Sequence, residues 1–422
     1  MYKKTILENG LRIITYPMKR MQSVAIGIWI KVGGRYETSE YKGLAHFLEH
    51  LVFKGTKERS CRKIKESIEG VGGSLNGFTS EELTCYLVKL PYNHLELALD
   101  TLLDMVANPL LLPKEIKKER TVILEEIKMY KDLPQSYVYE LLDGLLWPRQ
   151  PLGMAIAGTA ESVNRINREE INLFKKQYYV PSNMVISAAG FLKHEKLVNR
   201  IKDILSSFQR KSANVFVRAK EAQPRPQLKL LHKDTEQTHL ALGFHSFKRS
   251  DPLRYAQALL HVMLGANMSS RLFNEVREKR GLAYEIGTHV KHFKDTGAFI
   301  VHAGIDNRKV EDSLRLILKE LGKIRRDLVS IDEFRRAKEF YLGQLALSLE
   351  ETLDHMLWLG ESTAMLDEAH SLKDTINTIN KIKREDIRRV AERIFKEENI
   401  NLAVIGPLKS NEQSLYAELK LN

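Results

Sequence analysis

The order of strands and helices predicted for the first two hundred residues recurs in the second two hundred, and that duplication constrains the fold more than any other feature. At Leu83–Leu102 an alternating apolar strand runs into a helical period, and Gly297–Leu316 repeats the unit. Asn183–Gly190 and Asn399–Gly406 form a second pair, each an apolar run that ends in glycine. Between the halves, Gln209 to Gln227 breaks all periodicity with Lys211-Ser212-Ala213-Asn214 and Pro224-Arg225-Pro226, and reads as a linker. The expected fold class is α+β. Two homologous domains, residues 1–212 and 213–422, should each carry a mostly antiparallel sheet covered by helices on one face.

Within the first half, strands are predicted at Leu11–Tyr16, after an Asn9-Gly10 turn, and at Ser23–Lys31. Helical periods fall at Gly43–Lys54, Arg62–Val71, Asn93–Ala107, Pro113–Lys131 and Lys193–Phe208. The second half predicts strands at Leu228–Leu231, His239–Phe244, Phe299–Ala303 and Asn401–Ile405. Its helices are Pro252–Leu264, Val310–Leu321 and one long stretch from Ile331 to Met365.

With 43% hydrophobic and 28% charged residues, the chain can bury a sizeable core and is neither disordered nor collagen-like. Its longest stretches without Asp, Glu, Lys or Arg are Gln177–Leu192 and Tyr255–Ser270. Pro181, Asn183 and Gly190 break the first, and Gly265 and Asn267 the second, so no membrane span is expected. Cys61 and Cys85 are too few for a disulfide framework and suit a reducing compartment. Met1-Tyr2-Lys3-Lys4-Thr5 leads directly into a strand without the apolar core of a signal peptide, so cytoplasmic residence is the expectation. The net charge of +12 is dispersed among acids, as in Lys114-Glu115-Ile116-Lys117-Lys118-Glu119-Arg120, and a nucleic-acid partner is not expected.

Chemistry concentrates in His46-Phe47-Leu48-Glu49-His50. At 100° per residue the three polar side chains share an arc of about 100°, with the two histidines one turn apart. Neutral imidazoles so placed can hold Zn²⁺, and a carboxylate beside them can take a proton from water. The other reading is an amphipathic helix with ordinary histidines. A third ligand would decide between them, and the helix after Pro113 offers Glu119 and Glu126. Seven residues apart, these lie within about 20° of each other on one stripe. Val122 and Ile123 lie between them and Met129 and Tyr130 continue the line, so both carboxylates should be at least partly buried. Glu125 falls on the solvated side. The alternative for this helix is a charged surface with Glu/Lys pairing.

Taken together, His46-x-x-Glu49-His50 and a glutamate 76 residues beyond His50 resemble the pitrilysin/insulinase family of zinc peptidases. The half-length branch of that family includes mitochondrial processing peptidase and its bacterial relatives. Glu119-Arg120-Thr121-Val122-Ile123-Leu124-Glu125-Glu126 is similar to the family's third-ligand helix. Gly72 to Tyr86 is similar to its substrate-binding edge strand, and Pro151-Leu152-Gly153 with Ala157-Gly158-Thr159 to a later segment. The resemblance implies that His46, His50 and Glu126 hold one Zn²⁺ per chain, that Glu49 is the general base, and that Glu119 orients a ligand histidine. It also implies that Asn76, Gly77, Phe78 and Thr79 bind an extended peptide as an added strand. Gly77 departs from the family's usual alanine, and glycine there would let a substrate approach closely.

The second half has no H-x-x-E-H, yet Arg277 and Tyr284 resemble the family's Arg…Tyr pair that contacts substrate near the scissile carbonyl. Read without the resemblance, they are a helix-end arginine in an ion pair and a core tyrosine. His239, His245, His261, His289, His292 and His302 read as ordinary histidines. A chain of this size supplies half of the family's closed chamber, so the resemblance implies a homodimer, or a heterodimer with a degenerate paralogue. The expected activity is zinc-dependent endoproteolysis of extended or unfolded oligopeptides. The alternative is a non-catalytic or partner-dependent subunit of a heterodimeric processing peptidase, against which the intact ligand set argues.

Overall fold

The computed structural model describes residues 2–205, 216–368, 371–408 and 412–421. The chain divides into two compact units. The first comprises Met1–Ile127, Met154–Val217 and Ala346–His370, the second Lys128–Gly153, Arg218–Leu345 and Ser371–Asn422.

In the first unit, strands β1 (Lys3–Ile6), β2 (Arg12–Pro17), β3 (Ser23–Ile30), β4 (Ser74–Thr79), β5 (Thr84–Pro91) and β6 (Met184–Gly190) form one sheet in the order β1-β2-β6-β3-β5-β4. The second unit's sheet joins β7 (Gln227–His232), β8 (Gln237–His245), β9 (Ala283–His292), β10 (Gly297–Asp306) and β11 (Asn401–Gly406) in the order β7-β11-β8-β10-β9. Apart from β1 the two orders superimpose strand for strand. Each also has one parallel pair, β2 with β6 and β7 with β11, in an otherwise antiparallel ladder. The predicted duplication is thus a duplication of topology.

Helices α1 (Leu44–Val52), α2 (Cys61–Glu69), α3 (Leu95–Ala107) and α4 (Pro113–Asp132) lie in the first half of the chain, followed by α5 (Pro134–Leu146), α6 (Ala160–Arg165), α7 (Arg168–Tyr178) and α8 (His194–Leu205). The second half carries α9 (Arg254–Leu264), α10 (Val310–Arg326), α11 (Ile331–Leu347), α12 (Thr352–Leu366), α13 (Leu372–Lys381), α14 (Arg384–Ile394) and α15 (Glu412–Ala417). In each unit most helices gather on one sheet face, and a single helix crosses the other. Those crossing helices are exchanged between the halves of the sequence: α12 packs on β2, β3 and β6, and α5 on β8 and β11. Glycines in the central strands make room for them. A Cβ at Gly27 would lie 2.6 Å from the Met356 sulfur, and one at Gly243 would lie 2.9 Å from Leu142. Covered on both faces, β6 is buried along its whole length, which is why Met-Val-Ile-Ser-Ala-Ala-Gly shows no polar alternation.

Two expectations change. The stretch from Ile331 to Met365 is two helices, α11 and α12, with residues 348–351 between them. The α12 start is marked by Asp354 accepting the Glu351 backbone N–H at 3.3 Å, a capping signal hidden inside a continuous apolar period. The division into 1–212 and 213–422 does not account for α5 and α12, and its boundary lies outside the described residues, as do Phe208 and the start of the linker. Cys61 and Cys85 are both free thiols. No helix among the described residues is long and apolar enough to cross a membrane.

Candidate metal centre

Helix α1 is anchored before it reaches its histidines. The buried Glu37 carboxylate accepts the N–H groups of Gly43 at 3.0 Å and Ala45 at 2.5 Å, satisfying donors that every helix start leaves open. Lys42 donates to Gly34 O at 2.6 Å and lies 3.4 Å from Glu37, while Ser162 Oγ donates to Lys42 O at 2.6 Å. Gly43 enters the helix at φ +97°, a left-handed conformation, against the Ala157–Gly158 backbone. The Ala157-Gly158-Thr159 segment is therefore a backstop for α1. Sequence reading missed Glu37 and Lys42, whose buried pairing no periodicity announces.

Leu44, Ala45, Phe47, Leu48, Leu51 and Val52 take the buried face of α1, which leaves His46 and His50 on the margin facing α4. Glu126 Oε1 lies 3.7 Å from His46 Nε2, and its Oε2 lies 3.7 Å from His50 Nε2. One donor atom from each of the three residues falls within 4.8 Å of the others, the only such His/Cys/Asp/Glu group among the described residues. Ligands about 2.1 Å from a tetrahedral ion stand roughly 3.4 Å apart, so this nitrogen and oxygen set fits zinc after a small contraction. Burial and the neighbouring His50 push the His46 pKa down to about 4, so its imidazole is neutral at pH 7 with a lone pair available. Burial raises the Glu126 carboxyl, opposed by His50.

Glu119 Oε2 accepts from His50 Nδ1 at 3.2 Å, which fixes the tautomer that turns Nε2 toward Glu126. Its other oxygen meets Lys54 Nζ at 2.7 Å, and the carboxylate is 2% exposed. Lys54 is a third residue that sequence reading did not single out, although it stands only four places after His50, just beyond the end of α1. Lys54→Met is expected to weaken zinc affinity about 10–100-fold, the usual cost of losing an outer-shell partner. Competition with a chromophoric chelator measures it, and an unchanged affinity would remove Lys54 from the support of His50.

On α4 the buried line is Ile116, Glu119, Ile123 and Ile127, and the expected apolar stripe is corrected accordingly. Val122, Met129 and Tyr130 are exposed. The line advances by three or four residues, so positions 122, 126 and 129 fall along its edge, and Glu126 keeps a 23% exposed side chain.

Glu49 flanks His46 on the side of α1 opposite to His50 and is nearly buried. Thr79 Oγ1 donates to its Oε2 at 2.6 Å. Burial raises the Glu49 carboxyl, opposed by the Thr79 hydrogen bond and by His50 and reinforced by Glu126. Thr79 closes β4, the outermost strand of its sheet, whose free edge carries Asn76, Gly77 and Phe78. Asn76 Oδ1 accepts its neighbour's Gly77 N–H, and Phe78 lies half-exposed, edge-on to Trp29. A Cβ at Gly77 would point at the Phe53 ring, 3.0 Å away, so this glycine makes room for that ring. Thr79→Val is expected to lower kcat about 10–100-fold, given the worth of one hydrogen bond to a charged group, with little change in KM and with Thr79→Ser restoring most of it. Equal loss in the serine variant would show that the methyl, not the hydroxyl, matters.

Arg277 and Tyr284 belong to the second unit, and the structure brings them to each other. The guanidinium lies 5.7 Å from the Tyr284 ring and 4.7 Å from that of Phe273. Arg277 makes no ion pair among the described residues, and Tyr284, near the start of edge strand β9, is 74% exposed. Neither fits the plain reading of a paired arginine and a core tyrosine. His245, His261 and His292 are taken up by Leu146 O, Thr288 Oγ1 and Phe247 O.

Residues 12–160 match the insulinase (peptidase family M16) domain, and residues 165–341 the peptidase M16 inactive domain. An uncharacterized zinc protease of Streptomyces coelicolor is 36% identical over 98% of this chain and 91% of its own length. A second, YmxG of Bacillus subtilis, is 35% identical over 96% of this chain and 98% of its own. Among solved structures, a protease from Helicobacter pylori superposes with a TM-score of 0.91 at 24% identity, covering 96% of this chain and 100% of that one. The peptidase M16 inactive domain from Pseudomonas fluorescens gives 0.90 at 18% identity over 98% and 99%. Those two likenesses establish the fold. From the domain matches and the nearly full-length relatives together, the chain belongs to the insulinase family of peptidases, M16.

Proposed function

We propose that this chain is a zinc-dependent endopeptidase that cleaves extended or unfolded peptides. The observation that carries the reading is the convergence of His46, His50 and Glu126, with Glu49 one turn away and held by Thr79. When bound, zinc polarises the scissile carbonyl and makes a nearby water more acidic. Glu49 takes the proton from that water and passes it to the departing amine. Its burial raises the affinity for the proton it must carry, while Thr79 keeps one oxygen fixed and leaves the other to act. A peptide added as a strand would lie along the edge of β4, at Asn76 to Thr79, that β5 leaves open. Arg277 and Tyr284 can both donate to a developing oxyanion, and the exposure of Tyr284 and the absence of an ion pair to Arg277 among the described residues support that role.

The working form is a homodimer in which Arg277 and Tyr284 complete the site of the partner subunit. Mixing Glu49→Gln chains with Tyr284→Phe chains should then restore a fraction of activity that neither variant has alone. No restoration would place the whole site within one chain. The function itself is tested by hydrolysis of a quenched, unstructured peptide library by the purified protein, with Glu49→Gln as paired control. Cleavage that vanishes in the control supports a self-sufficient peptidase. Silence from the wild type overturns it in favour of a partner-dependent or non-catalytic subunit.

A further inference from the structure

Away from the metal centre, the first unit has a cavity of about 570 Å³ where β5 and β6 end and α3 and α8 begin. That volume lies within the roughly 300–1,000 Å³ of small-molecule sites. Its floor is aliphatic: Leu95, Leu99, Leu192 and Leu197, of which Leu99 and Leu197 are nearly inaccessible to solvent. At its mouth Tyr92 and Phe191 meet with ring centroids 4.5 Å apart, yet both stay substantially exposed, at 39% and 45%. Each follows directly on a strand end. Tyr92 N donates to Gln22 O and Phe191 N to Ser23 O, which fixes the backbone from which the two rings project.

The rim is cationic, with Lys19, Lys193, Lys196 and Arg200 against the single carboxylate of Glu96. Glu96 is engaged by Lys196 at 2.6 Å, and Arg200 reaches Asp100 only at 3.7 Å. Lys19 and Lys193 have no ion-pair partner among the described residues. An apolar floor, an aromatic mouth and surplus positive charge at the entrance match a molecule with an apolar tail and an anionic head. A purely apolar ligand would leave the cations unused, and an acidic solute without a tail would leave the floor wet.

We propose that this cavity binds an anionic amphiphile with a single acyl chain, its tail on the Leu95–Leu99–Leu197 floor and its carboxylate or phosphate between Lys19 and Lys193. The site is independent of the peptidase reading, because none of its residues belongs to the metal centre or to β4. Both head groups share the required chemistry, so separate arms distinguish a free fatty acid from a monoacyl phosphate.

The test is calorimetric titration of the full chain, below micelle formation, with laurate, dodecyl phosphate, dodecanol and dodecyltrimethylammonium. Saturable one-to-one binding of an anionic probe is expected, with the alcohol at least about tenfold weaker and the cation weaker still. The better of laurate and dodecyl phosphate names the head group. Lys19→Glu/Lys193→Glu changes two exposed side chains, so it should fold with an unaltered melting temperature while losing about tenfold or more in anion affinity. Leu99→Asp should abolish binding of both anionic probes but also strains a core position, so the charge-reversal variant is the deciding one. Equal binding of dodecanol, undiminished binding by the charge-reversed chain, or no binding of either anion would overturn the proposal.

Discussion

Glu49→Gln should cut turnover by about 10²–10⁴-fold while leaving zinc content and thermal stability close to those of the wild type. The two carry nearly the same volume, and the glutamine carbonyl can still accept the Thr79 hydroxyl that now meets Glu49 Oε2 at 2.6 Å. None of the proposed zinc ligands is altered: Glu126 meets His46 and His50, while the Glu49 carboxylate accepts from Thr79. What disappears is the group able to take and return a proton. The amide cannot, and in the proposed site the imidazoles of His46 and His50 would be engaged as ligands. The comparison is made on one fluorescent substrate at saturating concentration, with zinc measured by elemental analysis on the same samples. Near-normal turnover would dismiss Glu49 as the base. A chain that had also lost its zinc would mean that the Glu49 carboxylate supports the ligand helix, a different role from the one proposed.

Much of this site could be read from helix arithmetic. His46, Glu49 and His50 need only 100° per residue to come together, and Glu119 and Glu126 only their spacing of seven. What arithmetic could not supply is the other side of each interaction. Thr79 reaches Glu49 from a strand thirty residues away, and Glu37 caps α1 from the turn before it. Neither contact leaves a period in the sequence, because each depends on how separate elements stack. The error over Val122, Met129 and Tyr130 has the same origin. An apolar residue next to a stripe looks like part of it until the packing partner shows where the stripe is centred. In the fold, the strands with local turn signals or clear alternation were readable. The exchange of α5 and α12 was not, since nothing local distinguishes a helix that packs on its own half from one that crosses to the other. Gly27 and Gly243 are the visible trace of that exchange, and they acquire meaning only once Met356 and Leu142 are seen above them.

His50→Ala should abolish both zinc binding and hydrolysis, and the reason lies in the two directions its ring faces. Nε2 lies 3.7 Å from Glu126 in the ligand cluster, while Nδ1 is held by Glu119 at 3.2 Å. Removing the ring therefore deletes one ligand and disconnects the carboxylate that orients it. The loss in affinity should exceed the roughly 10–100-fold expected for Lys54→Met, which spares the ligand itself. The fold should survive, because Glu119 keeps its ion pair with Lys54 at 2.7 Å and the lost side chain is partly exposed rather than central to the core. Thermal unfolding separates the effects without recourse to activity. A ligand that binds only the folded state adds about 2.7 kcal/mol at a hundred times its Kd, so zinc should raise the wild-type melting temperature. The His50→Ala chain should melt at the same temperature with and without zinc, close to the metal-free wild type. If zinc shifted both proteins equally, the ion would be held elsewhere, and His50, Glu119 and Lys54 would lose their assigned roles together. If instead the variant melted well below the metal-free wild type, His50 would be part of the core of α1 and α4, and the test would pass to Glu126→Gln, which removes a ligand from the exposed edge of its helix.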